Sequence, residues 1–256
     1  MVKNLPKYLY VAAVYLVLYL PLFVTIVFSF NDSAATDAWR GFTLKWYESL
    51  LSDTALIRSA FRSLFLAAAA ATTSTVVGTI MAIALHRYRF IGQRVVYGSL
   101  SVIMLSPEII QGISLVMIFV ILGVPLGFAT LLLSHTVFCF PFVTVTVLAR
   151  LKGVNRNLAE AGADLGASDV DIARFILIPQ ILPAVFAGWL MSFTLSVDDV
   201  IVSFFVSGKE YEILPLKIYS LVRTGIQPDV NALCAAMFFA TFAVVMLSYR
   251  LVRNRK

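Results

Sequence analysis

Six stretches of the chain are apolar almost without interruption, at about 8–30, 60–85, 95–122, 129–149, 183–206 and 231–250. Crossing the hydrocarbon of a bilayer takes about 20 apolar residues in a helix, and each stretch meets that length. Lipid offers no partner to backbone N–H and C=O groups, so such runs must close their hydrogen bonds internally, as helices do. The pattern predicts an all-α polytopic membrane protein with six transmembrane helices, read as one transmembrane domain over 1–256. The first run, Tyr8 to Phe30 behind Lys3 and Lys7, exceeds the roughly 7–15 residues of a signal-peptide core, and no small-x-small cleavage site follows it. It is read as a retained first helix.

The polar segments between the runs set the orientation. Lys3 and Lys7, then Arg87, Arg89 and Arg94, then Arg150, Lys152, Arg156 and Arg174, then Arg250, Arg253, Arg255 and Lys256 all fall on one side. The other side holds Arg40, Lys45, Arg58, Arg62, Lys209, Lys217 and Arg223. The more basic side is cytoplasmic, which puts both termini in the cytoplasm, as six crossings require. On the outer side, Trp39, Trp46 and Tyr47 suit a membrane interface, and Leu44 to Leu51 reads as a short helix, lying on the membrane or in an ordinary loop.

Composition agrees with this picture. Of 256 residues, 60% are hydrophobic and 13% charged, with a mean hydropathy of +0.91. A soluble domain carries about 25% charged residues, far more than this chain has for a water-facing surface throughout. The net charge of +6 is spread between the apolar runs and forms no patch, so nucleic acid is not an expected partner. Cys139 and Cys234 lie in apolar segments and make no disulfide framework. The spacings Gly123–Gly127 and Gly162–Gly166 fall in predicted loops and are not read as helix-dimer motifs.

The segment 151–182 differs from the rest, being long and charged on both signs. Asn157 with Glu160 three residues on reads as an N-cap, and Leu158, Ala161, Gly162 and Leu165 share one helical face. Gly166 can end that helix in the left-handed conformation. Ser168 and Asp171 open a second helix, Ile172, Phe175 and Ile176 form its apolar face, and Pro179 is expected to stop it. A partner protein on the cytoplasmic side is the natural cover for such a hairpin.

Glu160-Ala161-Gly162, then Gly166, then Ile176-Leu177-Ile178-Pro179 resembles the EAA loop of ATP-binding-cassette importer permeases. Gly162 stands where that pattern has a second alanine and Ile178 where it has leucine. The resemblance implies the type I (MetI-like) permease fold, with 151–182 as the loop that a cytoplasmic ATPase subunit grips through Glu160, Ala161, Gly162, Gly166, Ile176 and Pro179. An amphipathic hairpin resting on lipid headgroups is the other reading. No G-x-x-x-x-G-K-[ST] loop occurs, since Gly208-Lys209 is followed by Glu210. ATP and Mg are therefore expected on partner subunits, with no cofactor and no metal on this chain.

Ionisable residues inside a span are costly and are functional candidates. Glu108 lies about 20 Å, and Asp198 with Asp199 about 22 Å, from the inner face at about 1.5 Å per helical residue, so three carboxyls share a level in the outer half of the membrane. Pro107 predicts a kink beside Glu108. Arg62 begins the second span and could pair with one of the acids. The cluster suggests a cationic passenger, although an aspartate could instead cap a broken fifth helix. Trp189, Phe193, Tyr211 and Tyr219 could offer ring faces to ammonium groups, while most aromatics in such a chain only pack. His135 and Cys139 at i, i+4 read as helix-contact residues rather than metal ligands.

Gly41 to Thr43, Lys45 to Tyr47, Leu105 to Glu108, Ser192 to Val200 and Tyr211 to Tyr219 resemble PotC-type permeases of spermidine/putrescine importers. That resemblance implies a second homologous permease subunit, two ATPase subunits and an extracytoplasmic polyamine-binding protein, assembled in a bacterial inner membrane. The same architecture importing thiamine, a metal ion or another cation is the alternative. A secondary transporter would also use intramembrane acids but would need no EAA loop. An enzyme lacks support, with no nucleophile–base pair in the sequence.

Overall fold

Helices make up most of the described residues, beside one isolated antiparallel bridge between Asn31 and Phe42. The computed structural model describes residues 5–33, 38–224 and 228–253, and the side chains of some helical residues, Asn157 and Glu160 among them, lie outside that description. In order the helices are α1 (Leu5–Phe28), α2 (Lys45–Ser52), α3 (Thr54–Arg87), α4 (Gln93–Leu105), α5 (Glu108–Ile121), α6 (Phe128–Lys152), α7 (Arg156–Asp164), α8 (Asp169–Asp171), α9 (Ile178–Asp198), α10 (Ile201–Val206), α11 (Leu214–Thr224) and α12 (Pro228–Arg253). Four described helices are long and apolar enough to cross a membrane, or five when the bent pair α4–α5 counts as one span. The sixth predicted run lies in α12, where Asp229–Ala243 is the described apolar stretch.

Two compact units divide the chain, one from both ends up to Arg58 and from Lys217, the other Ser59–Leu216. In the first, α12 packs on α1 and on α2. Helix α1 shows apolar side chains around its circumference, from Tyr8 to Val24, as a lipid-facing helix does. The chain beyond it is tied by buried Asn31. Its amide donates to the Ala38 carbonyl, its side-chain oxygen accepts from Arg40 N–H, and its own carbonyl accepts from the Trp46 indole, each at 2.8 Å. The expected short helix is α2, which buries no residue.

In the second unit α6 is the central element, packing on α9, α4, α10 and α5. Two neighbouring helices approach α6 closely at buried Val143. A methyl group built on Gly78 of α3 would lie 2.7 Å from Val143 Cβ, and one on Gly188 of α9 would lie 3.0 Å from its Cγ1. Small residues at such crossings let helix backbones approach, which is how packing holds helices together without a hydrophobic driving force.

Two predicted spans are not single helices. The run 95–122 divides at Ser106-Pro107 and turns through 111°. Pro107 has no N–H to continue the ladder and drives Ser106 out of the helical region, to φ −71°, ψ 134°. The carbonyls of Ile103 and Ser106 accept from the Gln111 amide at 2.8 and 3.0 Å, that of Ile103 also accepting from Ser106 N–H at 3.4 Å. The run 183–206 likewise divides, with α9 ending at Asp198 and α10 opening at Ile201.

Pro179 does not stop a helix. A π turn over Ile172–Leu177 joins α8 to α9, so Ile178 N–H reaches back to the Ala173 carbonyl. Pro179 then follows directly on this π turn, inside one helical run from Asp169 to Asp198.

Candidate functional site

The two helix breaks face each other across one cavity of about 360 Å³. Ile103, Met104, Ser106, Glu108 and Gln111 line it from the first break. Thr194, Leu195 and Asp198 to Val202 line it from the second, and Phe138 and Phe142 of α6 complete the wall. Broken helices bring backbone polar groups to a cavity inside a membrane protein, where they can meet a solute instead of lipid.

Glu108, Asp198 and Asp199 thus share one cavity in unequal roles. Glu108 and Asp198 are exposed to it, whereas Asp199 is buried at 8% exposure. The Asp199 carboxylate accepts from Val202 N–H at 3.2 Å, Ser203 N–H at 2.7 Å and the Ser203 hydroxyl at 2.7 Å. It caps the opening turn of α10 and supplies the acceptor that the break would otherwise lack. The two acids facing the cavity are then Glu108 and Asp198.

His135 of α6 is fully buried against this break. Its Nδ1 shares a hydrogen bond with Ser196 Oγ at 2.7 Å and its Nε2 one with Ser203 Oγ at 2.9 Å, with Asp199 Oδ2 3.6 Å from Nε2. Cys139 points its thiol at the Ser192 carbonyl, 3.6 Å away. No group of three or more His, Cys, Asp or Glu that could hold a metal occurs among the described residues.

The four aromatic candidates stand elsewhere, outside the cavity lining. Trp189 stacks between Phe186 and Phe193 on α9, and its indole donates to the Thr72 hydroxyl at 3.1 Å. Tyr211 carries Arg62 over its ring at 4.8 Å, and Arg62 donates to the Glu210 carbonyl at 2.9 Å. Arg62 thus bonds to a ring and a carbonyl rather than to one of the cavity acids. Tyr219 carries Arg223 in the same way, also at 4.8 Å. Gln111, Phe138, Phe142 and Thr194 of the cavity were not singled out from the sequence. Of these only Gln111, a polar residue four positions past a proline in an apolar run, offered a signal there.

The hairpin 151–182 forms a second site candidate. Helix α7 opens at Arg156, so the N-cap position falls on Asn155 and Asn157 lies inside the helix. Gly166 ends it at φ +84°, with Ala167 N–H bonded to the Gly162 carbonyl and Gly166 N–H to that of Ala163, the paired pattern of a Schellman turn. Ser168 and Asp171 form a capping box, Ser168 Oγ accepting from Asp171 N–H at 3.2 Å. Asp169 accepts from the Arg87 guanidinium and the Tyr88 hydroxyl, which fastens the hairpin to the end of α3.

Its apolar residues divide between two faces. Gly162 and Ile172 are buried and Ile176 is half-buried, with Ile172, Ile176 and Leu177 joined to the core of α3, α4 and α6 through Leu85, Leu100 and Leu151. The chain itself therefore covers part of the face expected to await a partner. Leu158, Ala161, Leu165 and Phe175 remain exposed, as does Pro179.

Fold and cavity define a class, that of polytopic all-α membrane proteins with broken spans around an acidic cavity. Residues 74–255 match the family of binding-protein-dependent transport system inner membrane components, and the chain belongs to that family. It is 49% identical over 241 residues to the spermidine/putrescine transport system permease protein PotC of Haemophilus influenzae, covering 94% of each chain. It is 48% identical to PotC of Escherichia coli K12, over 96% of this chain and 93% of that one. The putrescine transport system permease protein PotI of the same strain is 36% identical, over 92% and 86%.

Among solved structures, a bacterial ABC transporter involved in import of the acidic polysaccharide alginate matches with a TM-score of 0.75 at 17% identity, over 98% of this chain and 95% of that one. The inward-facing MetNI methionine ABC transporter matches at 0.67 and 20% identity, over 78% and 96%. The fold is therefore that of MetI-type importer permeases.

Proposed function

We propose that this chain is a translocating permease subunit of an ATP-driven polyamine importer in a bacterial inner membrane, with both termini cytoplasmic. The carrying observation is that Glu108 and Asp198 present two carboxylates to one cavity at two helix breaks. A flexible polycation such as spermidine or putrescine matches that charge, and the curated relatives named for these solutes span nearly the whole chain. A cavity of this size falls in the about 300–1,000 Å³ range of small-molecule sites. Phe138 and Phe142 add apolar wall for methylene segments and ring faces for ammonium groups.

The assembly that follows has a second homologous permease subunit, two ATPase subunits that hold ATP and Mg, and an extracytoplasmic binding protein that delivers the polyamine. The hairpin 151–182 is the handle on the ATPase side, with Glu160, Ala161, Gly162, Gly166, Ile176 and Pro179 as its motif residues. Closing of the ATPase pair draws on the handles and turns the cavity outward, and hydrolysis resets it. Trp189, Phe193, Tyr211 and Tyr219 stand outside the cavity lining and are not counted among its cation contacts, since their ring faces already have partners within the chain.

Uptake of radiolabelled spermidine by cells carrying the intact importer tests the reading. Asp198→Asn and Glu108→Gln should each raise the half-saturating concentration about ten- to a hundredfold, the loss of one charged contact being worth about 1.5–3 kcal/mol. Wild-type uptake by both variants rules out the cation path. Retained uptake of a different solute would assign the same architecture to that solute.

A further inference from the structure

A buried polar chain reaches Asp199 from α6. Ser203 donates its one hydroxyl proton to Asp199 Oδ2 2.7 Å away. Ser203 Oγ therefore accepts from His135 Nε2–H at 2.9 Å. The other ring nitrogen, Nδ1, is left with its lone pair and accepts from the Ser196 hydroxyl at 2.7 Å. One arrangement of protons satisfies every pair from Ser196 through His135 and Ser203 to Asp199. Ser196 lies on the last turn of α9 and Ser203 on the first turn of α10, so the imidazole bridges the two sides of the break.

We infer that His135 is a positioning residue of the cavity. It holds the ends of α9 and α10 at fixed separation, keeps the Asp199 carboxylate on the α10 opening turn, and so fixes the backbone on which Asp198 is carried. Neighbouring acids then divide the work. Asp199 faces inward to the chain of hydrogen bonds, and Asp198 faces the passenger. His135 does not line the cavity and meets no solute. Its ring packs beside Phe138, centroids 5.1 Å apart, and Phe138 is itself on the cavity wall. Any movement of α6 thus reaches both the wall and the break through adjoining side chains. This inference rests on the reading of the cavity as the cation path.

Spermidine uptake by the intact importer, normalised to the amount of assembled complex in membranes, separates positioning from general structure. His135→Phe fills the space but offers no donor or acceptor, and should raise half-saturation about tenfold. His135→Gln returns an N–H donor near Nε2 and should stay within about threefold of wild type. Ser203→Ala cuts the same chain one bond further on, and should raise half-saturation as His135→Phe does. The double variant should be no worse than the worse single, because contacts in one network are not additive.

Wild-type half-saturation in His135→Phe and Ser203→Ala, or effects that multiply in the double variant, would overturn the inference. Should His135→Phe fail to assemble, Ser203→Ala decides by the same measurement. Asp198→Asn, run alongside, tells the two readings apart. If it takes up spermidine as wild type, the cation path itself fails. If it is impaired while His135→Phe and Ser203→Ala are normal, only the positioning role fails.

Discussion

Two glycines four residues apart in the hairpin do different work. Gly166 is chosen for conformation: its φ of +84° lies in the left-handed region, and a methyl group added there would meet nothing within 4 Å. Gly162 is chosen for space, since the same methyl would come 2.8 Å from Ile176 Cδ1, the flexible tip of a residue on the opposite limb. Gly166→Ala should therefore destabilise the hairpin by about 1 kcal/mol through backbone strain alone. Gly166→Asn, which tolerates the left-handed region better, should recover part of it. Melting of the detergent-purified importer followed by thermal shift measures both, and equal melting of Gly166→Ala and wild type would remove the argument. Gly166 was legible in the sequence because turn chemistry is local. The reason for Gly162 was not, because the crowding atom belongs to a residue fourteen positions on that the chain must fold back to reach.

At the scale of elements, hydropathy located the long apolar runs but could not say which were continuous. A run that bends through 111° and a straight one have the same apolar count, and what separates them is whether something catches the freed backbone groups. At the first break that is Gln111, and at the second it is Asp199 with Ser203. Pro107 was the visible half of the first device, and the proline signal led to a kink where the structure has a sharp turn. Nothing so plain marks the second, since aspartate in a span reads equally as a solute contact or as a cap, and Asp198 and Asp199 divide those roles between adjacent positions. The π turn before Pro179 left no signal of its own in the sequence. Gln111→Leu should leave the Ile103 and Ser106 carbonyls without their side-chain donor. These part-buried bonds are worth about 1 kcal/mol each, so the melting temperature of the assembled importer should fall. In a Pro107→Ala background the N–H at 107 returns and the loss should shrink, as coupled sites require. If Gln111→Leu melts with wild type, the amide is not what holds the turn.

At the scale of the whole chain, the cavity and the hairpin share α6 as their common neighbour. That helix carries Phe138 and Phe142 to the cavity wall and His135 to the break beside it, and its last turns carry Val147, Leu148 and Leu151 to the core on which Ile172 and Leu177 rest. A pull on the hairpin therefore acts on an element that also forms the cavity wall, through packed side chains rather than through a flexible link. This gives the two faces of the hairpin separate consequences. Ile172 is buried in the chain, so Ile172→Ala should cost about 2–5 kcal/mol of stability and reduce the amount of intact importer. Phe175 and Leu165 are 66% and 89% exposed, so charged replacements there leave the chain's own packing alone. On the proposed function they cover the ATPase subunit's contact. Phe175→Asp and Leu165→Asp should then leave the permease in the membrane at wild-type level while copurification with the ATPase subunit falls about tenfold or more, as loss of a buried apolar anchor worth about 2 kcal/mol or more implies. Copurification undiminished in both would mean that the exposed face meets lipid or solvent instead, and the handle would have to be sought on another part of the chain.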